Sequence, residues 1–199
     1  MKKLLYTLLA VSLIFSACEE DTPLPAANNN ANNNNSALAI GDTHQGGIIF
    51  YLDGNGGGLV AASFDQSSSA EWGCDETLIS GADGTAIGTG AQNTIDIEVG
   101  CTTYGTAADI CVRQALGGYS DWFLPSKDEL NEMYLNIGLG SSLGNIGNFI
   151  GDGKVLLYWS SSQVSANYAW WQELSGGAQY TSGDATKDGT FYVRAVRAF

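Results

Sequence analysis

Apolar and polar positions along this chain follow two periods. Leu130, Met133, Tyr134 and Ile137 fall at i, i+3, i+4 and i+7, one buried face of a helix. Ser126 supplies an N-cap, Glu129 completes a capping box, and Gly138 stands where the helix should end. Trp122, Phe123 and Leu124, just before the cap, form an apolar plug that must enter a core. A second helix is predicted over Thr106–Leu116, where Thr106 and Asp109 form a cap pair and Ala108, Cys111, Val112 and Ala115 an apolar stripe. Gly117 and Gly118 stop it.

The period of two governs the rest. Gly46–Ala62 reads as a β-hairpin: strand Ile48–Leu52, a glycine-rich turn from Asp53 to Gly58, and the return strand Leu59–Ala62. Asp53 and Asn55 lack the further ligands of an EF-hand, so the turn is only a turn. VLLYWSSS, YAWWQELS, AQYTS and TFYVRAVRAF predict four strands of an antiparallel sheet. Ala70–Gly90 has the character of a loop. Ile95, Ile97 and Val99 alternate like a strand inside a segment whose length and flanking glycines also fit a short helix.

The first residues follow neither period. Lys2 and Lys3 precede an apolar run from Leu4 to Phe15, then Ser16, Ala17 and Cys18. This is a secretory signal over residues 1–17, too short to span a bilayer. With its cysteine it resembles a bacterial lipoprotein signal, although Phe15 stands where leucine is usual; the resemblance implies lipidation of Cys18. Glu19, Glu20 and Asp21 resemble an export signal to the outer face of the outer membrane, and equally suit the start of a solvated linker. Residues 18–37, acidic and then Asn-rich (NNNANNNN), cannot bury enough apolar surface to offset chain entropy and are expected to form a flexible tether. The folded domain is placed at 38–199, as one unit.

Charge narrows the partners. The chain carries −13 overall, and its domain has 18 acidic residues against 6 basic ones. Nucleic acid, which rewards displacement of counterions by cations, is excluded as a partner. Of the domain cysteines Cys74, Cys101 and Cys111, any one pairing leaves one thiol over. Cys101–Cys111, closing a small loop at a helix start, is favoured over Cys74–Cys101. His44 is the only histidine, so neither a catalytic cysteine nor a zinc centre has its ligands.

GGYSDWFLPSKDEL, YWSSS and YVRAVRAF, with AEWGCDETLISGADGTAIGTGAQNT upstream, resemble the C-terminal domain family of Legionella collagen-like (Lcl) proteins, which includes the Fibrobacter succinogenes major paralogous domains. The resemblance covers about Gly41–Phe199. It implies an α+β, C-type-lectin-like fold: two helices packed on small antiparallel β-sheets, with long recognition loops. It also implies a cell-surface adhesin, with a homotrimer as one assembly. Two features depart from it. Only Arg113, Lys127, Lys154, Lys187, Arg194 and Arg197 are cationic, which does not suit a sulfated ligand, and the calcium-dependent sugar motifs EPN, QPD and WND are absent.

The expected function is therefore recognition of a glycan or cell-surface protein by a lipid-anchored outer-membrane protein, with no cofactor and no metal. The candidate ligand-binding residues are Trp159, Asn167, Trp170, Trp171, Gln172, Tyr180, Asp184, Lys187 and Asp188, where aromatic faces stand beside amides and carboxylates. Of the adjacent Trp170 and Trp171, one should be buried and the other less so. Arg194 and Arg197 are expected to pair with acids of the SDW or DEL segments. Alternatives are a structural subunit of the cell surface and an enzyme related to the formylglycine-generating oxidases, with Asp184 and Asp188 as acid and base.

Overall fold

A computed structural model describes residues 37–149, 155–181 and 185–199, all within a compact unit spanning Ala37–Phe199. Cys18, the signal and tether segments, Lys154 and Asp184 lie outside the described residues. Among the described residues three helices and two sheets form an α+β domain. Among the described residues no helix is long and apolar enough to cross a membrane.

The first sheet has the order β1-β2-β3-β9, with β1 (Thr43–His44), β2 (Gly47–Leu52), β3 (Gly58–Ala61) and β9 (Val196–Ala198) all antiparallel. The predicted hairpin is β2–β3. Its turn is held by Asp53, whose carboxylate accepts from the amides of Asn55 (2.7 Å) and Gly57 (3.0 Å).

The second sheet has the order β4-β8-β5-β6-β7: β4 (Ser67–Glu71), β5 (Leu157–Gln163), β6 (Ala169–Glu173), β7 (Gln179–Tyr180) and β8 (Thr190–Val193). β8 runs parallel to β5 at Tyr158–Tyr192, whereas the other pairings are antiparallel. Strand β4 was not expected. Its sequence SSSAE buries only Ala70, so an edge strand of exposed serines reads as loop. TFYVRAVRAF is not one strand but two: the chain leaves the second sheet after Val193 and joins the first at Val196.

The ambiguous segment is a helix, α1 (Gly90–Gly100). Its alternation misled because Ile95 and Val99 are exposed, at 54% and 79%, while polar Asn93 and Thr94 are buried. Asn93 donates to the Gly84 carbonyl and the Ser161 hydroxyl, and Thr94 to the Gly90 carbonyl, so each buried polar group has a partner. Helix α2 (Ala107–Val112) has the predicted Thr106 cap but ends one turn early. Helix α3 (Lys127–Ile137) has the full capping box, and its buried face holds Leu130, Met133 and Ile137. The described residues thus hold three helices, not the two that the resemblance implies. Gly138 ends α3 in an extended conformation rather than a left-handed one.

The apolar plug is buried as expected, with Trp122 and Leu124 in one core cluster and Phe123 in the other. Phe123 exchanges two 2.9 Å backbone bonds with Val196, which brings the plug beside β9. Glu129 is fully buried and accepts from the amides of Ser126 (2.7 Å) and Gly88 (2.8 Å), fixing α3 against the turn before α1. Burial raises its carboxyl above the usual range, and the backbone donors offset that only in part. Gly117 has φ +61°, and a Cβ there would lie 2.3 Å from the Cα of Gly46.

Arg194 occupies the gap where the chain changes sheets. It is 1% exposed and donates to Asp65 (2.7 Å) and to the carbonyls of Ala62 (2.9 Å) and Gly147 (2.7 Å). Its partner is Asp65, in the β3–β4 connection, not an acid of the SDW or DEL segments. Arg197 does pair as expected with Asp121, and it stacks on Tyr119 at 3.9 Å. The hydrogen bond from Arg197 holds the Asp121 carboxyl below its ordinary value.

The disulfide is Cys74–Cys101, with Cα atoms 5.7 Å apart, and not Cys101–Cys111. Cys111 lies on the buried face of α2 with its sulfur in the core. Cys101 caps the end of α1, where Gly73 (φ +104°) lets the backbone beside Cys74 pass close to it.

Two measurements check these assignments. Asp65→Ala strands a buried guanidinium and should lower stability by about 3–5 kcal/mol in urea unfolding at neutral pH; a loss under about 1 kcal/mol contradicts the assigned pairing. In residues 37–199, non-reducing peptide mapping should find Cys74 linked to Cys101, and Cys111 should be alkylated only after denaturation. Burial raises the Cys111 thiol well above its usual value, which suppresses the reactive thiolate.

Candidate functional site

The five-stranded sheet places aromatic side chains in register. Trp159 opposes Trp171, and Trp171 opposes Tyr180. Ring centroids step from Trp159 to Phe191 (4.4 Å), from Phe191 to Trp171 (5.3 Å) and from Trp171 to Tyr180 (4.5 Å, stacked). Exposure rises along this ladder. Trp159 is fully buried with its indole N–H on the Ala70 carbonyl (2.9 Å), Phe191 and Trp171 are half-buried, and Tyr180 is 40% exposed. The indole nitrogen of Trp171 is itself buried without a partner among the described residues.

Phe191 also lines a groove of about 290 Å³ with Ser68, Ser69, Val155, Leu157, Thr190 and Tyr192. Through Ser69 and Thr190 this groove abuts a second, of about 320 Å³, that reaches Glu71 and the exposed Tyr104. Hydroxyl and aromatic groups dominate both linings. No lysine or arginine of the described residues lines either groove. Of the described cations, Lys127 pairs with Asp128 (2.9 Å), Arg194 with Asp65 and Arg197 with Asp121, while Arg113, bonded to Asp109 (2.7 Å), lies 4.6 Å from the ring centre of Tyr104 at the rim of the second groove. Chemically, the surface offers ring faces for stacking and neutral donors and acceptors for hydroxyls.

The sequence-derived residues divide accordingly. Trp171 and Tyr180 belong to the ladder's outer end. Trp159 is core. Trp170 points to the other side of β6 and is half-buried beneath Lys127, whose ammonium lies 5.0 Å from the ring, so the two tryptophans do not divide into one buried and one exposed. Gln172 is fully buried and donates to Asn131 and to the Gly177 carbonyl (both 3.0 Å), which makes it a brace between β6 and α3. Asn167 is half-buried, with its amide 3.4 Å from Asp75. Asp188 is exposed and accepts from the Thr186 hydroxyl. Ser68, Ser69, Leu157, Thr190 and Phe191 were missed, since only strand pairing across β4 and β8 brings them together.

Lys187 is a structural residue rather than a ligand contact. It is fully buried, its ammonium donating to the Thr77 carbonyl (2.8 Å) and to Gln163 (3.1 Å) and lying 4.4 Å from the Trp72 ring centre. Gln163 in turn bonds both the amide and the carbonyl of Ile79. One ammonium thereby joins the end of β5 to the chain after β4 and to the segment before β8. Among the described residues no three His, Cys, Asp or Glu side chains converge on a metal position.

Burial pushes the Lys187 amine down to about 8, with attraction from Asp75 acting the other way. The folded chain therefore binds this proton less tightly than the unfolded chain. The resulting cost is full below about pH 8 and fades as pH rises toward the ordinary lysine value of about 10.4. Between about pH 7 and pH 10, the Tm of the wild type should accordingly improve relative to that of Lys187→Met. A Tm difference independent of pH would show that the ammonium is not buried as described.

A search of curated proteins gives no match to this chain. Residues 64–197, which run from just after β3 into β9 and include the disulfide, the plug, the capped helix and the aromatic ladder, match the Lcl C-terminal domain, and the chain belongs to that family.

Proposed function

We propose that this is a non-enzymatic recognition lipoprotein of C-type-lectin-like fold, anchored through Cys18 at the outer face of the outer membrane, that binds a neutral glycan. Membership of the Lcl C-terminal domain family supports a surface-associated domain. The observation that carries the ligand class is the outer end of the ladder: Trp171 stacked on Tyr180, continuous through Phe191 with a hydroxyl-lined groove that has no cation among its described residues. Stacking on sugar rings uses ring faces and neutral hydrogen bonds. Sulfate recognition would need guanidinium or ammonium groups lining the groove beside the ladder, and Arg113 lies at the far groove, over Tyr104. The side chains of a protein partner would meet the same aromatic surface, but the hydroxyl lining favours a polyol.

The test is a glycan array followed by titration of the best ligand. Tyr180→Ala and Phe191→Ala should each weaken binding on the order of tenfold, about 1.4 kcal/mol. Trp170→Ala, on the other side of β6, should leave it unchanged, and adding a chelator should have no effect. Absence of binding to any array glycan, or selective capture of sulfated glycans, would refute the ligand class. The anchor is checked separately: intact mass of the membrane-extracted protein should show cleavage before Cys18 and an acylated cysteine.

A further inference from the structure

A second surface lies where the chain enters the domain. Leu38, Leu139, Leu143 and Ile146 are all exposed, by 38%, 46%, 53% and 38%. Leu143 and Ile146 meet at the entry turn, where Gly41 lies directly against Ile146 and close to Leu143; Leu38 belongs to the entry segment and Leu139 to the same loop after α3. The sequence carries no charged residue between Glu132 and Asp152, an unusual interval in so acidic a domain.

The loop that presents these side chains is built. Gly147 donates to the Ile137 carbonyl at the end of α3 (2.7 Å), and Ser141 to the Asn136 carbonyl (2.7 Å). Asn145 exchanges two bonds with the backbone of Phe149, whose buried ring underlies Arg194 at 4.2 Å. Leu143 and Ile146 thus face outward from a fixed frame. Asp42, the acidic residue of the entry turn, turns its carboxylate back onto the Ala39 amide (2.9 Å).

We infer that this apolar pole seats on the lipid bilayer to which the chain is tethered; the inference rests on the anchored reading proposed above. Eighteen residues lie between Cys18 and Ala37. Even fully extended they reach about 65 Å, so the entry point is never far from the membrane. A domain of such negative charge is repelled by anionic headgroups, and a face whose apolar loop carries no charge, with Asp42 the acid beside it, approaches at low electrostatic cost. Four half-exposed aliphatic side chains bind a bilayer too weakly to recruit a free protein. On a tethered one the effective concentration is high enough for the contact to form.

The experiment recruits the chain from residue 18 onward, with Cys18→Ser and an N-terminal His tag, to vesicles of phosphatidylcholine and phosphatidylethanolamine containing a nickel-chelating lipid. An environment-sensitive dye is attached at Leu143→Cys, the buried Cys111 serving as its own unreactive background. Recruitment should blue-shift the dye, raise its emission several-fold and expose it to quenching by nitroxide-labelled acyl chains. Adding Leu139→Ser and Ile146→Ser should abolish the change while thermal unfolding shows the domain folded. An unchanged spectrum on recruited vesicles overturns the inference. So does a shift that follows protein concentration without vesicles, which would assign the face to a second copy of the chain. Recruitment through the tag makes these outcomes independent of whether Cys18 is acylated.

Discussion

A guanidinium stays charged at any pH a cell meets, so burying Arg194 obliges the fold to supply a carboxylate and further acceptors around it, which it does for Nε and Nη1 while Nη2 has no partner among the described residues. Those partners come from distant parts of the chain: Asp65 and the Ala62 carbonyl after β3, and the Gly147 carbonyl after α3. Asp65 is shared with the Tyr158 hydroxyl of β5 (2.8 Å). Burial and that carboxylate raise the Tyr158 hydroxyl well above its usual range, keeping it a neutral donor. The last strand changes sheets at this residue, so the two sheets, the α3 loop and the β3–β4 connection are held by a single charge. Such a pair contributes specificity more than net stability: any packing that separates the two leaves a buried charge unpaired.

The consequences extend to both surfaces. Phe191 lies three residues before Arg194 on β8, and its position beside Trp171 depends on β8 pairing with β4 and β5 before the chain departs. Phe149, beneath the guanidinium, terminates the loop that presents Leu143 and Ile146. A recognition surface and an apolar pole are therefore supported from one core residue, without either having to touch it.

Local chemistry was legible in the sequence wherever one segment carries its own determinants. The Ser126–Glu129 capping box, the Thr106 cap, the β2–β3 hairpin and the structural role of Arg197 needed only neighbouring residues or a single opposite charge. Helix α1 was ambiguous because its buried face is polar, and the hydrogen bonds that make burying Asn93 and Thr94 acceptable come from Gly84 and Ser161 as well as from the helix itself. The disulfide was misassigned for a related reason. Proximity in sequence favoured Cys111, but its place on the stripe of α2 commits its sulfur to the core.

The site was only partly legible, and Lys187 shows why. Among aromatic and acidic neighbours in sequence, a lysine looks like a ligand contact. In the fold its backbone is held between Asn167 and Gly73, and its side chain turns inward to Thr77 and Gln163. Gln172 is drawn inward in the same way by Asn131. Long polar side chains in a loop-rich domain are needed inside, because irregular backbone leaves amides and carbonyls that no ladder satisfies. Gln163 answers both groups of Ile79 at once. The outward surface is then left to residues that have no such work: the hydroxyls of Ser68, Ser69 and Thr190 and the rings of Trp171, Tyr180 and Phe191. Among the described residues, a hydroxyl-rich groove without lysine or arginine follows from how this acidic domain uses its cations: Lys187, Arg194 and Arg197 are committed to holding the loops and strands in place.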